Sequence, residues 1–411
     1  MKRQRLDNVT FEITHEKDQL GLMQPVTKSF SIIVDEQGVI ESITPMSSVD
    51  KTEFYGDIRD MKGLLATPTL KDMHNHLDKT YMTLGWRGTI PVGNLKERLA
   101  AEANELPLLA ASTKDRSSKM IDSMMRRGVN HIRTHVNIDP YIGLKNLEGV
   151  LEAVDKYKEL MTFEIIAFPQ HGLLRDGMNE LMKEAMRSGA TMVGGLDPGG
   201  IDNAVEKSLY EVMNLATEFD ADVDIHLHDR GHLGTYTYST WLDLVEENNY
   251  QGRTAISHGF SLGDVTEPEQ DELITRIVEN DMSIMSTIPY GQKKAFPPID
   301  KIRAAGGSVY LGCDGFFDSW SSYVSSDLLE KINNFCQLTG KITETDIAKT
   351  IDLGTRGRQV YNEEQTPWLK IGEKANIVFT ESTSTAELIA RLPEKRTLLL
   401  NGHWVEPIII S

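Results

Sequence analysis

Cysteine is almost absent. Cys313 and Cys336 are the only two in 411 residues, too few for a disulfide framework, and a reducing, cytoplasmic location is expected. Long apolar runs are missing as well: no stretch approaches the roughly 20 apolar residues of a spanning helix. Lys2, Arg3 and Arg5 lie near the start, but polar residues follow where a signal peptide would need an apolar stretch. Basic residues are outnumbered, 43 Lys and Arg against 61 Asp and Glu, giving a net charge of −18. That balance argues against nucleic acid or a membrane as partner, and mainly serves solubility. Repeats, low-complexity tracts and Pro- or Ser-rich linkers are lacking. So is a phosphate loop or a Gly-x-Gly-x-x-Gly fingerprint after the first central strand, which argues against a dinucleotide fold.

What is present is ordinary globular composition, 40% hydrophobic and 25% charged, in a chain too long for one small core. Residues 1–64 read as short β segments. Phe30–Val34 and Val39–Ile43 flank Asp35-Glu36-Gln37-Gly38, a hairpin turn by composition. From Leu65 a strand-then-helix rhythm takes over. Strands are expected near 65–70, 129–135, 162–168, 190–195, 222–227, 253–257, 282–286 and 308–313, separated by amphipathic segments such as Thr113–Arg127 and Ala204–Phe219. After a longer first interval, which leaves room for an insertion around Trp86–Leu109, the spacing is roughly that of one βα unit. Eight such units predict an α/β protein built on a (β/α)8 TIM barrel over 65–365. The tail from 366 returns to strands, with a strong turn pair at Asn401-Gly402. Segments 1–64 and 366–411 are expected to form a small β-sandwich domain together.

Barrel active sites form at the C-terminal ends of the strands, and eight of the eleven histidines fall there. His74 and His76 end the first strand, two residues apart and so on one side of it. His135, His171, His226, His228 with nearby His232, and His258 follow at later strand ends, and Asp314 closes the eighth. Each admits a plainer reading. His135 and His171 are as readily structural as functional, His228 and His232 read better as loop residues, and Asp78 beside Lys79 can be a local ion pair. Asp197 precedes Pro198, a common turn start. His15, His131 and His403 lie outside the cluster.

The combination of His-x-His after strand 1, His after strands 5 and 6, and Asp after strand 8 resembles the amidohydrolase superfamily. The match sharpens to its cytosine deaminase-like branch, which includes isopropylammelide isopropylaminohydrolases. It rests on His74-Asn75-His76-Leu77-Asp78-Lys79-Thr80, His131-Ile132-Arg133-Thr134-His135-Val136, Ile166-Ala167-Phe168-Pro169-Gln170 and Gly312-Cys313-Asp314-Gly315-Phe316-Phe317-Asp318-Ser319-Trp320. The resemblance implies that His74, His76, His226 and Asp314 bind one divalent metal, Zn, Fe or Mn. A single ion fits a strand 4 that offers no lysine.

It further implies catalytic roles for Asp314 as acceptor of the water proton, His258 beside the developing oxyanion and Asp229 as proton relay. Gln170 would contact substrate, with Asp197, Asp318 and Trp320 around it. A homo-oligomer is implied by the same likeness. Two departures stand out. Asp229 replaces a glutamate, and Gly315 replaces an acidic residue that cytosine deaminases often carry. Cytosine itself is therefore a poor candidate. The expected activity is hydrolysis at an amino- or amide-bearing sp² carbon of a small cyclic nitrogen compound such as an aminated pyrimidine or triazine. A cyclic-amide hydrolase, or a binding protein without turnover, are the alternatives.

Overall fold

The computed structural model describes residues 1–50, 54–289, 296–323 and 326–405; the other parts of the segments assigned above lie outside the described residues. The chain opens with strands β1 (Gln4–Lys17), β2 (Met23–Val34), β3 (Ile40–Pro45), β4 (Asp57–Asp60) and β5 (Leu65–Pro68). The barrel strands follow: β6 (Leu70–Asn75), β7 (Val129–Asn137), β8 (Thr162–Phe168), β9 (Met192–Leu196), β10 (Asp222–Leu227), β11 (Thr254–His258), β12 (Ser283–Ser286) and β13 (Val309–Leu311). Strands β14 (Ile377–Thr380), β15 (Thr397–Leu400) and β16 (His403–Val405) end the described chain.

The N- and C-terminal strands make one eight-stranded sheet in the order β16-β15-β14-β5-β1-β2-β3, with β4 beside β1. Its hairpins are set by aspartates. Asp18 Oδ1 accepts from the amides of Leu20 and Leu22, and Asp35 Oδ1 from those of Gln37 and Val39, the local bonding that favours Asp in turns. Leu6, Val9, Phe11, Ile13, Phe30, Ile32 and Val34 are buried beneath this sheet, each contributing about 1.5–3 kcal/mol relative to exposure. Register shifts between Leu6 and Val9 and between Glu12 and Thr14 are the places where so long a ribbon bends and re-aims its side chains.

The second sheet runs β13-β12-β11-β10-β9-β8-β7-β6 in sequence order, all its ladders parallel, with helices between strands. It is the expected barrel, with one correction at its start. The strand expected at 65–70 is two strands. Leu65–Pro68 pairs antiparallel with β14, and the barrel strand begins only at Leu70, parallel to β7. Pro68 lacks an amide to donate, which suits a strand end at this handover.

Barrel closure between β6 and β13 rests on few groups. Asn75 bridges Asp314, and the Asp314 amide donates to the His74 carbonyl at 2.9 Å. Asp72, fully buried, accepts from the amides of Cys313 and His74 and so fastens the seam. A side chain at Gly312 would meet the His74 backbone at 2.4 Å, so only glycine allows this approach. The inserted segment contains helix α1 (Leu95–Leu109), capped by Asn94 accepting from the Glu97 amide. Among the described residues, no helix is long and apolar enough to cross a membrane.

Candidate active site

At the C-terminal mouth of the barrel, His74 and His76 lean to one side of β6 and both approach Asp314. Their Nε2 atoms lie 3.6 and 3.5 Å from its Oδ1. His226, near the end of β10, puts its Nε2 3.2 Å from that of His76. Ligand atoms of His74, His76 and Asp314 fall within 4.8 Å of one another, and so do those of His74, His135 and His226. His74 belongs to both groups. His258 completes the ring of imidazoles, its centroid 4.6 Å from that of His74.

The surroundings choose which nitrogen each ring presents. Ser257 Oγ donates to Asp224 Oδ1 at 2.6 Å, so toward His74 Nδ1, 2.7 Å away, it acts as acceptor. The Nδ1 of His74 therefore carries the proton and Nε2 keeps its lone pair. His76 Nδ1 donates to the His135 carbonyl at 3.2 Å, with the same consequence. Burial pushes His76, His226, His135 and His258 well below the usual histidine pKa, so these rings are neutral. Burial opposes ionisation of Asp314, yet the His74, His258 and His76 imidazoles around it hold its pKa well below the carboxylate range.

These residues fit a divalent cation. His74 Nε2 is buried and has no hydrogen-bond partner among the described residues, and the same holds for His226 Nδ1 and both nitrogens of His135. His76 Nε2 and His226 Nε2 lie close enough to share a proton or a cation, and three imidazoles with one carboxylate are a metal-binding donor set. The backbone supports this at a cost. Asp314, His258 and Asp197 adopt φ of 65°, 67° and 35°, the left-handed region that non-glycine residues enter mostly where surrounding structure imposes it.

Strand 5's end differs from the sequence expectation in orientation. Asp229 Oδ2 accepts from the amides of Gly199 and Gly200 at 3.2 and 3.0 Å, pointing into the strand-4 loop. Burial, then Asp197, push its pKa up to about 6. It is the neighbouring His228 that lies against His258, centroids 4.3 Å apart. Asp197 Oδ2 takes the His228 Nδ1–H at 2.9 Å, and its Oδ1 accepts from the amides of His228 and Asp229. Asp197 thus orients His228.

Lys79 and Asp78 are not an ion pair. Asp78 accepts from the Asn137 amide and the Asn146 side chain, tying the first strand's loop to the second. Lys79, buried, reaches Glu102 of α1 at 3.5 Å and donates to Gln170 Oε1 at 2.8 Å, its ammonium 5.3 Å from the Trp320 ring. With Oε1 engaged, the Gln170 amide nitrogen is left to donate. Asp318 Oδ1 accepts from the Trp320 and Ser321 amides, while its Oδ2 lies 2.3 Å from where a Gly315 Cβ would stand. The Asp318 carboxylate therefore occupies space that a side chain at 315 would take, and burial pushes its pKa up to about 7. His171 binds the Leu99 carbonyl and anchors α1; His232 is exposed beside Glu269.

An eight-stranded βα barrel with convergent imidazoles and a carboxylate at its C-terminal mouth defines a barrel hydrolase. The chain belongs to the amidohydrolase family, whose pattern matches residues 57–403, and is a hydrolase of carbon–nitrogen bonds other than peptide bonds. An uncharacterized Escherichia coli (strain K12) protein, YahJ, is 36% identical over 350 residues, 84% of this chain and 76% of its own length. The crystal structure of N-isopropylammelide isopropylaminohydrolase from Burkholderia multivorans superposes with a TM-score of 0.86 at 27% identity, covering 98% of each chain. That of 5-methylcytosine deaminase from Klebsiella pneumoniae gives 0.80 at 19% identity over 99% of this chain and 98% of its own, a likeness of fold.

Proposed function

We propose that the protein hydrolytically removes ammonia or an amine from an sp² ring carbon of a small nitrogen heterocycle, an aminated pyrimidine or triazine, using one divalent metal ion. The observation that carries this reading is the pair of ligand groups at the barrel mouth, His74-His76-Asp314 and His74-His135-His226, joined at His74, whose buried Nε2 has no partner among the described residues. His74, His76, His226 and Asp314 would hold the ion. When bound, it supplies Lewis acidity and a nucleophile at neutral pH by acidifying water. The 27% identical isopropylammelide isopropylaminohydrolase supports the substrate class.

The chain's own side chains divide the remaining work. Asp314, one-third exposed and ionised, accepts the proton of the attacking water. Neutral His258 donates a hydrogen bond to the oxygen that gains charge. We assign the relay of the proton to the leaving nitrogen to His228, which Asp197 holds in one tautomer, and give Asp229 the task of holding the Gly199-Gly200 loop. Gln170, turned by Lys79, presents its N–H2 to a ring acceptor. Asp318, partly protonated near neutral pH, supplies a polar contact beside Gly315, and Trp320 covers the ring. A panel of amino- and alkylamino-substituted pyrimidines and triazines tests this, with ammonia, amine and carboxylate products measured separately. Nitrogen release without ring opening is expected; carboxylate formation from lactams alone would replace the reading with a cyclic-amide hydrolase.

A further inference from the structure

A second group of metal-type ligands lies far from the barrel mouth, in the terminal sheet. Glu12 and His15 are both on β1, three residues apart, where a regular strand would send them to opposite faces. The register shift between Glu12 and Thr14 brings them together. His15 Nε2 lies 3.1 Å from Glu12 Oε1 and 4.0 Å from Glu344 Oε1, and one ligand atom from each residue falls within 4.8 Å of the others. Glu344 comes from the segment after the eighth barrel strand, so the group joins sheet to barrel.

The side chains of Glu12 and His15 are 1% and 3% exposed. Thr385 satisfies Glu12 Oε2 through its amide at 2.7 Å. Glu12 Oε1, Glu344 Oε1 and both His15 ring nitrogens are buried with no hydrogen-bond partner among the described residues. The Tyr361 ring packs edge-on against His15, 4.7 Å between centroids, and closes one side. No lysine or arginine forms an ion pair with either glutamate among the described residues. Two carboxylates and one imidazole are thus gathered in a largely buried cluster. Bonds of about 2.1 Å to a common ion would separate such donors by roughly 3–4 Å, and the two separations from His15, 3.1 and 4.0 Å, fall there.

We propose that Glu12, His15 and Glu344 form a second, structural site for a divalent metal, for which zinc serves as the probe, clamping the terminal sheet to the barrel. The imidazole offers a nitrogen donor and the two carboxylates balance the ion's charge. Nothing in this site touches the reacting groups.

Equilibrium dialysis of the full chain against zinc chloride, followed by elemental analysis, tests the proposal through a difference. Glu344→Gln should bind one zinc equivalent fewer than the unmodified protein, at unchanged turnover, and should show a smaller rise in melting temperature on adding zinc. His15→Asn should lose the same equivalent. Glu344 is partly exposed, so its variant keeps the test alive where the buried His15 variant does not fold. The difference is read independently of occupancy at the barrel mouth. Equal zinc content in Glu344→Gln and the unmodified protein would overturn the second site.

Discussion

Ser257→Ala tests the link between a buried hydroxyl and His74, the histidine it orients and for which we propose a metal-binding role. In the folded protein Ser257 Oγ accepts from His74 Nδ1–H and donates to Asp224, and all three side chains are fully buried. Without the hydroxyl, His74 has two choices. It keeps the proton on Nδ1 as an unsatisfied buried donor, costing about 1–3 kcal/mol, or moves it to Nε2 and loses the lone pair aimed at Asp314. Either way the metal site weakens, and removing such a supporting partner typically costs about 10–100-fold in metal affinity. Competition against a chelator measures the affinity, and turnover at saturating zinc measures what is left of the chemistry. The expected result is a loss in that range for Ser257→Ala, with most turnover restored by excess metal, and near-normal affinity for Ser257→Thr. Unchanged affinity in Ser257→Ala would refute the tautomer argument.

His228→Gln should lower kcat by about 10²–10⁴-fold with metal content unchanged, while Asp229→Asn should chiefly lower thermal stability; comparing kcat and melting temperature for the pair separates relay from loop anchor. Asp318, with its carboxyl pushed up to about 7, should give kcat/KM an inflection near pH 7 that Asp318→Asn lacks. The same shift makes the folded state bind more protons than the unfolded one between about pH 4 and 7. Stability should therefore fall across that interval and level off above it, and Asp318→Asn should flatten the slope in denaturant titrations.

The barrel was legible because its signals are local. Strand-sized apolar runs at regular spacing, each ending in polar residues, announce βα units, and His74, His76, His226, His258 and Asp314 fall at strand ends by position alone. What escaped depends on partners distant in sequence. Whether Leu65–Pro68 begins the barrel or completes the terminal sheet is decided by β14, some 300 residues on. His228 and Asp229 are adjacent, and the Asp197 carboxylate with the Gly199 and Gly200 amides determines which faces His258. Lys79 is drawn from Asp78 by Glu102 on the inserted helix, whose docking no periodicity reveals. His15 lies outside the barrel cluster in sequence, and its neighbour Glu12 comes beside it only through a register shift in β1.

Hydrolysis at the barrel mouth is proposed to depend on a bound metal ion. Its most direct measurement is nitrogen release from the heterocycle panel by protein stripped of metal and reloaded separately with zinc, iron and manganese, beside Asp314→Asn. The expected result is activity abolished by stripping, restored by at least one of the three ions, and absent in Asp314→Asn at every metal concentration. Full turnover by the stripped protein, or by Asp314→Asn, would contradict the account.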